Sequence, residues 1–248
     1  MTENLKDALE YAVKLSEDQE VIYSVNGENF YDRNKARFVE LTPIKRAETL
    51  TIHSLSGLVG YLKSQFSSNE KQSEQLLLHV ESPTRVAVYS ALDVDRKRES
   101  LIEATALLEI FPYRRFMDSE DFIINVQSLV QRDLDASAIL ACASSIRIEG
   151  GGDLIDNGIS QVATVKEGAA TLTKAEVPSP ASLRPYRTFL EVEQPASPFV
   201  FRINKQGDCA LFEADGGIWK HTAMENIHIF LMNELKELIE NNVLTIIA

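Results

Sequence analysis

Residues 184–231 constrain the fold more than any other stretch of the chain. In fewer than fifty residues they carry three strand patterns, a glycine turn and a helix. The runs 188–192, 199–203 and 209–213 are short, apolar and rich in strand-forming residues. Pro195 and Pro198 lie between the first two, where a residue without a ladder donor belongs. Asp215-Gly216-Gly217 then reads as a tight turn. Thr222 and Glu225 have the spacing of a capping box. From there Met224, Ile227, Phe230, Leu231, Leu235, Leu238 and Ile239 fall on one helical stripe. Glu240-Asn241-Asn242 ends that helix, and the tail VLTIIA is expected to add a strand or a subunit contact. Strands and helices side by side set the class as α+β: mostly antiparallel sheets, packed helices and a long C-terminal amphipathic helix.

The remaining sequence fits that class. Leu5, Ala8, Leu9, Ala12 and Val13 have helical spacing. Residues 21–25 and 29–31 flank Asn26-Gly27, a strong hairpin signal. Strands are expected at 37–41, 48–52, 75–80, 85–92 and 100–108. Ser54 suits the N-cap of a helix with Leu55, Leu58, Val59, Leu62 and Phe66 on one face. Asp118 suits the N-cap of a helix over 119–131, and a second helix is expected over 134–145. Gly150-Gly151-Gly152 breaks the pattern before modest strands at 157–165 and 168–177. The expected division is an α+β part over 1–148 and a β-rich part with the last helix over 149–248, unless the two form one domain.

Of the 248 residues, 44% are hydrophobic and 25% charged, enough for a sizeable core. The longest apolar runs fall well short of the roughly 20 residues of a membrane helix. The polar, acidic start MTENLKDALE is unlike a signal peptide, so a cytoplasmic protein is expected. The net charge of −12 weighs against broad nucleic-acid binding, which draws its affinity from neutralised phosphates, although a local basic patch stays open. Cys142 and Cys209 lie in core-like surroundings and read as buried free thiols.

His53, His79, His221 and His228 make no metal-ligand spacing, so no metal and no cofactor are expected. Gly150–Gly152 lacks the lysine of a phosphate loop. The turn at Gly216–Gly217 leads to a helix start with Lys220 and His221 beside it, an arrangement open to an anion. Glu191 and Glu193 alternate along an expected strand and would share a face. Basic residues cluster at Arg96-Lys97-Arg98, at Arg114-Arg115 and at Arg184 with Arg187, with Tyr113 and Tyr186 adjoining. Arginine beside aromatic rings can hold a nucleotide or a single strand. Arg114, Arg115, Arg184, Tyr186, Arg187 and Lys220 are therefore the candidate binding residues. Their convergence in one groove would favour such a ligand; pairing with Glu191 or Glu193 would favour a structural role.

The segments HVESPTRVAVYS, FMDSEDFIINVQSL, RPYRTFLEVEQPASPFVFRI and ALFEADGGIWKHTAMENI resemble a family of uncharacterised early proteins of Gram-positive phages and prophages, similar to the YfdQ-like prophage family. The likeness runs over most of residues 40–235. It implies an early, non-virion role in the cytoplasm of an infected cell, near recombination and single-strand DNA handling. The resemblance carries over no functional residue. The expected function is that of a non-enzymatic, homo-oligomeric accessory protein in phage DNA metabolism or its regulation, with a host or phage protein as a further partner. The alternatives are an anti-defence protein that inhibits an immune effector or sequesters its nucleotide signal, and a metal-dependent nuclease.

Overall fold

The computed structural model describes residues 3–17, 22–25, 28–31, 48–66, 75–145, 155–156, 161–167, 171–176 and 179–248. The chain divides into two compact units, Met1–Lys45 and Arg46–Ala248.

In the first unit, helix α1 (Glu3–Glu17) bears the expected amphipathic pattern. Strands β1 (Ile22–Val25) and β2 (Glu28–Tyr31) pair antiparallel with Val25 opposite Glu28, the hairpin that Asn-Gly demands. The strand expected at 37–41 lies outside the described residues.

The second unit contains two hydrophobic cores. The first is built on β3 (Leu50–Ile52), α2 (Leu55–Phe66), β4 (Leu76–Ser82), β5 (Arg85–Tyr89) and β6 (Ser100–Thr105). Ser54 starts α2 as expected, its Oγ accepting the Gly57 N–H at 3.1 Å. Leu55, Leu58, Val59 and Leu62 form the buried face of α2. They pack on the alternate residues Leu76, Leu78 and Val80 of β4 and on Val86 and Val88 of β5.

The second core begins with α3 (Ser119–Leu129) and α4 (Leu134–Ser145). Asp118 caps α3 by accepting the Asp121 N–H at 2.9 Å, and Asp133 does the same for Ala136 at 2.8 Å. Next come β7 (Ile155–Asp156), β8 (Gln161–Glu167) and β9 (Thr171–Glu176), an antiparallel sheet over the Thr-, Ala- and Val-rich stretch. Strands β10 (Ala181–Leu183), β11 (Ser197–Ile203) and β12 (Cys209–Glu213) form a second antiparallel sheet under the two helices. Phe122 of α3 stacks on Phe201 of β11 at 5.3 Å, with Ile139, Leu183, Phe199 and Leu211 around them. Cys142 and Cys209 are free thiols buried in this core.

The chain then returns to the first core. Helix α5 (Trp219–Glu234) and the short α6 (Lys236–Glu240) bury Ile227, Leu231, Leu235 and Leu238 against the large sheet. The tail becomes β13 (Leu244–Ile247), parallel to β4, giving the strand order β13-β4-β5-β6-β3.

The strand pairings are mostly antiparallel, as expected, and three other expectations need correction. The large sheet itself is mixed, because β3 and β13 pair parallel with β6 and β4. Helix connections produce this: α2 crosses the sheet face between β3 and β4, and α5 with α6 precede β13, so each outer strand joins parallel. The long terminal helix is a 16-residue α5 and a separate α6, with Leu235 off the helical backbone at φ −104° and ψ 18°. Thr222 lies inside α5 and is no cap, because the helix already starts at Trp219. Residues 188–192 are an irregular loop, and the third strand of that sheet is β10 instead. The triple glycine and the division expected at 148/149 fall outside the described residues. No described helix is long and apolar enough to cross a membrane.

Candidate functional site

The loop 187–194 joins the two cores. Phe189 and Val192 point into the first, and Arg187 lies against Phe199 of the second. A loop this buried must satisfy its backbone groups without a strand partner. Gln194, 1% exposed, serves that purpose. Its Oε1 accepts the N–H groups of Arg187 at 2.9 Å and Thr188 at 3.3 Å. Its Nε2 donates to the carbonyls of Phe189 at 3.0 Å, Val192 at 3.3 Å and Thr188 at 3.4 Å. The Thr188 hydroxyl donates to the Pro83 carbonyl in the β4–β5 turn.

Arg187 is the centre of the site. It is 7% exposed. Its Nη1 donates to Glu213 Oε1 at 3.3 Å, and its Nη2 donates to Ser197 Oγ and to the Pro195 carbonyl. The guanidinium carbon lies 4.2 Å from the Trp219 ring centroid and 5.4 Å from that of Phe199. Tyr113 stacks on Phe199 at 5.5 Å. The Nε of Arg187 and the hydroxyl of Tyr113 are buried without a hydrogen-bond partner among the described residues. Burial pulls the Arg187 pKa down, opposed by Tyr113, Asp215 and Glu213; an arginine stays charged all the same. Burial likewise pushes the Tyr113 hydroxyl well above its ordinary range, against the pull of Arg187.

Asp215 governs the glycine turn. Its carboxylate accepts the N–H groups of Gly217 at 3.0 Å and Trp219 at 3.1 Å. Gly216 and Gly217 have φ of +64° and +88°, which a side chain would strain. The amides that an anion would seek at the start of α5 are thus engaged by the protein itself, those of Gly217 and Trp219 by Asp215 and those of Lys220 and His221 by the carbonyls of Gly217 and Ile218. Lys220 is exposed, with its Nζ 6.0 Å from the Trp219 centroid.

The other candidates are distributed over the same sheet. Arg114, at φ +61°, donates its backbone N–H to the Leu211 carbonyl at 2.8 Å, on the side of β12 away from β11 where Met117 also bridges Cys209; it and Arg115 are exposed. Arg184 and Tyr186 follow β10, where the Arg184 carbonyl accepts from Gln131 and the Tyr186 N–H donates to Leu129, both at 2.9 Å. With the order β10-β11-β12, two strand spacings, about 10 Å, separate these edges. The Arg184 guanidinium is paired with Glu193. Glu191 does not share a face with Glu193; it accepts from the N–H and hydroxyl of Ser56 at the start of α2, at 3.3 and 3.2 Å.

Sequence reasoning found Arg187 and missed what surrounds it. Gln194, between Glu193 and Pro195, carries no local signal of its role, and Trp219 carries only that of being the single tryptophan of the chain. Among the described residues no group of three His, Cys, Asp or Glu could hold a metal ion. Compared with protein-family models, with curated proteins and with solved structures, the chain matches none.

Proposed function

We propose that the chain is a non-enzymatic accessory protein that acts through protein contacts, as a homo-oligomer, in phage DNA metabolism or its regulation in the host cytoplasm. One observation carries the preference for protein over nucleic acid. The two arginines of the most aromatic basic cluster are spent internally, Arg187 on Glu213, Ser197 and Trp219, and Arg184 on Glu193. The rings beside them are also engaged: Tyr113 on Phe199, and Trp219 by the cations of Arg187 and Lys220. Single-strand binding needs free cations beside free ring faces. The chain as a whole carries a net charge of −12. The phage setting rests on the sequence resemblance.

Fluorescence anisotropy with a labelled single-stranded oligonucleotide tests this reading. No saturable binding is expected at about 0.15 M salt. Binding that weakens steeply with salt and is lost in Arg114→Ala/Arg115→Ala would overturn it. For the anti-defence alternative, cyclic nucleotides that raise the melting temperature would replace the contact reading with sequestration of a nucleotide signal.

A further inference from the structure

Two stretches of chain build the first core, Leu55–Ala104 and Ile227–Leu244, and the stretch between them builds the second, Phe111–Leu211. Among the described residues, Phe189 and Val192 are the only apolar side chains of that middle stretch that belong to the first core. They are 1% and 8% exposed, as deep as the members around them. The loop that carries them, 187–194, springs from the second core between β10 and β11, yet gives that core no apolar side chain.

The polar contacts of the loop run in the same two directions. Outward, it meets three separate elements around the first core. The Thr188 hydroxyl donates to the Pro83 carbonyl between β4 and β5. The Glu191 carboxylate accepts the N–H and hydroxyl of Ser56 at the start of α2, and the Glu193 carbonyl accepts Asn226 Nδ2 of α5 at 2.9 Å. At its base, Arg187 is fixed to the second core by Ser197, Glu213 and the ring of Phe199. Gln194 ties the two ends together through the Arg187 and Thr188 amides, so the loop holds its shape by its own hydrogen bonds.

We propose that loop 187–194 is a strap through which the two cores open and close together, and that without its two apolar anchors the first core opens while the second stays closed. The asymmetry follows from the burial. Withdrawal empties two places in the first core and frees the Ser56 amide of α2, but empties none in the second. A ligand or partner that favours the closed form of either core thereby holds the other closed as well, since such coupling is reciprocal.

Urea unfolding of the full chain, with a separate probe in each core, tests this. Pulsed hydrogen exchange of β4 and β5 reads the first core, and pulsed labelling of the buried thiols Cys142 and Cys209 reads the second. In the wild type the two profiles are expected to coincide, the mark of a single transition. In Phe189→Ala/Val192→Ala the β4–β5 profile is expected to move to lower urea and leave the thiol profile behind. Leu231→Ala, equally buried in the first core but off the strap, is expected to lower both midpoints together. Where the double variant has lost protection in both cores at zero urea, Val192→Ala carries the same comparison. Separate profiles in the wild type overturn the coupling. Coincident profiles in the strap variants, or an equal split in Leu231→Ala, overturn the part assigned to the strap.

Discussion

At the scale of single residues, Arg187 ties the protein together. Its side chain meets strand β11, the end of β12 and the start of α5, and its backbone N–H donates to Gln194 at the far end of the loop 187–194. Arg187→Ala would leave Glu213, 30% exposed, beside an apolar gap. Breaking a fully buried pair costs about 3–5 kcal/mol; with Glu213 partly wet, roughly 2–3 kcal/mol is expected. Arg187→Met, which keeps the packing on Trp219 and Phe199, should recover part of that loss. Urea unfolding of the two variants checks this, and equal stabilities would remove the packing role assigned to the ring contacts. Cys209 gives a pH prediction. Burial, with Cys142 and Asp208 adding to it, pushes its thiol up to about 12 from an ordinary 9.0. The folded state therefore keeps a proton that the unfolded chain releases above pH 9. The stabilisation is complete below pH 9 and declines as pH rises towards 12, by at most ~1.4 kcal/mol per pH unit. Melting temperatures of wild type and Cys209→Ala between pH 8 and 10.5 should converge as the pH rises. Tyr113, shifted in the same direction, leaves a residual slope in both. Parallel profiles would show that Cys209 does not contribute the alkaline loss.

At the scale of elements, the loop 187–194 is the clearest departure from local pattern. Its sequence alternates like a strand, yet one glutamine side chain holds it in place of a sheet neighbour. Gln194→Ala would strand the buried N–H groups of Arg187 and Thr188 and three carbonyls. Each buried unsatisfied group costs about 1–3 kcal/mol, so a loss of roughly 3 kcal/mol or more is expected after relaxation. Gln194→Glu keeps the acceptor, loses the donor and brings a charge into a buried site, and should be less stable than wild type. Thermal unfolding of both variants decides the matter; a wild-type profile for Gln194→Ala would mean that the loop does not depend on this side chain. Other elements were readable because their signals are local. Ser54 and Asp118 cap the helices their positions predict, and the strands on either side of positions 26 and 27 pair as expected. The capping box at Thr222 failed because the helix starts earlier, at Trp219, whose amide the Asp215 carboxylate already meets.

At the scale of the whole molecule, two cores share one unit, and the chain leaves the first to build the second before returning. The sequence by itself determined the mixture of helices and strands, most of their positions and the apolar faces they bury. Those follow from periodicity, caps and turn residues, which act over a few neighbours. Only the tertiary structure decided that the VLTIIA tail enters the large sheet beside β4, since strand pairing across 168 positions leaves no local trace (Leu244 opposite Leu76). It likewise decided the use of the arginines. A guanidinium reads alike in sequence whether it faces a phosphate or a carboxylate of its own chain. Arg184 and Arg187 took Glu193 and Glu213 because folding brought those carboxylates and the Trp219 ring within reach.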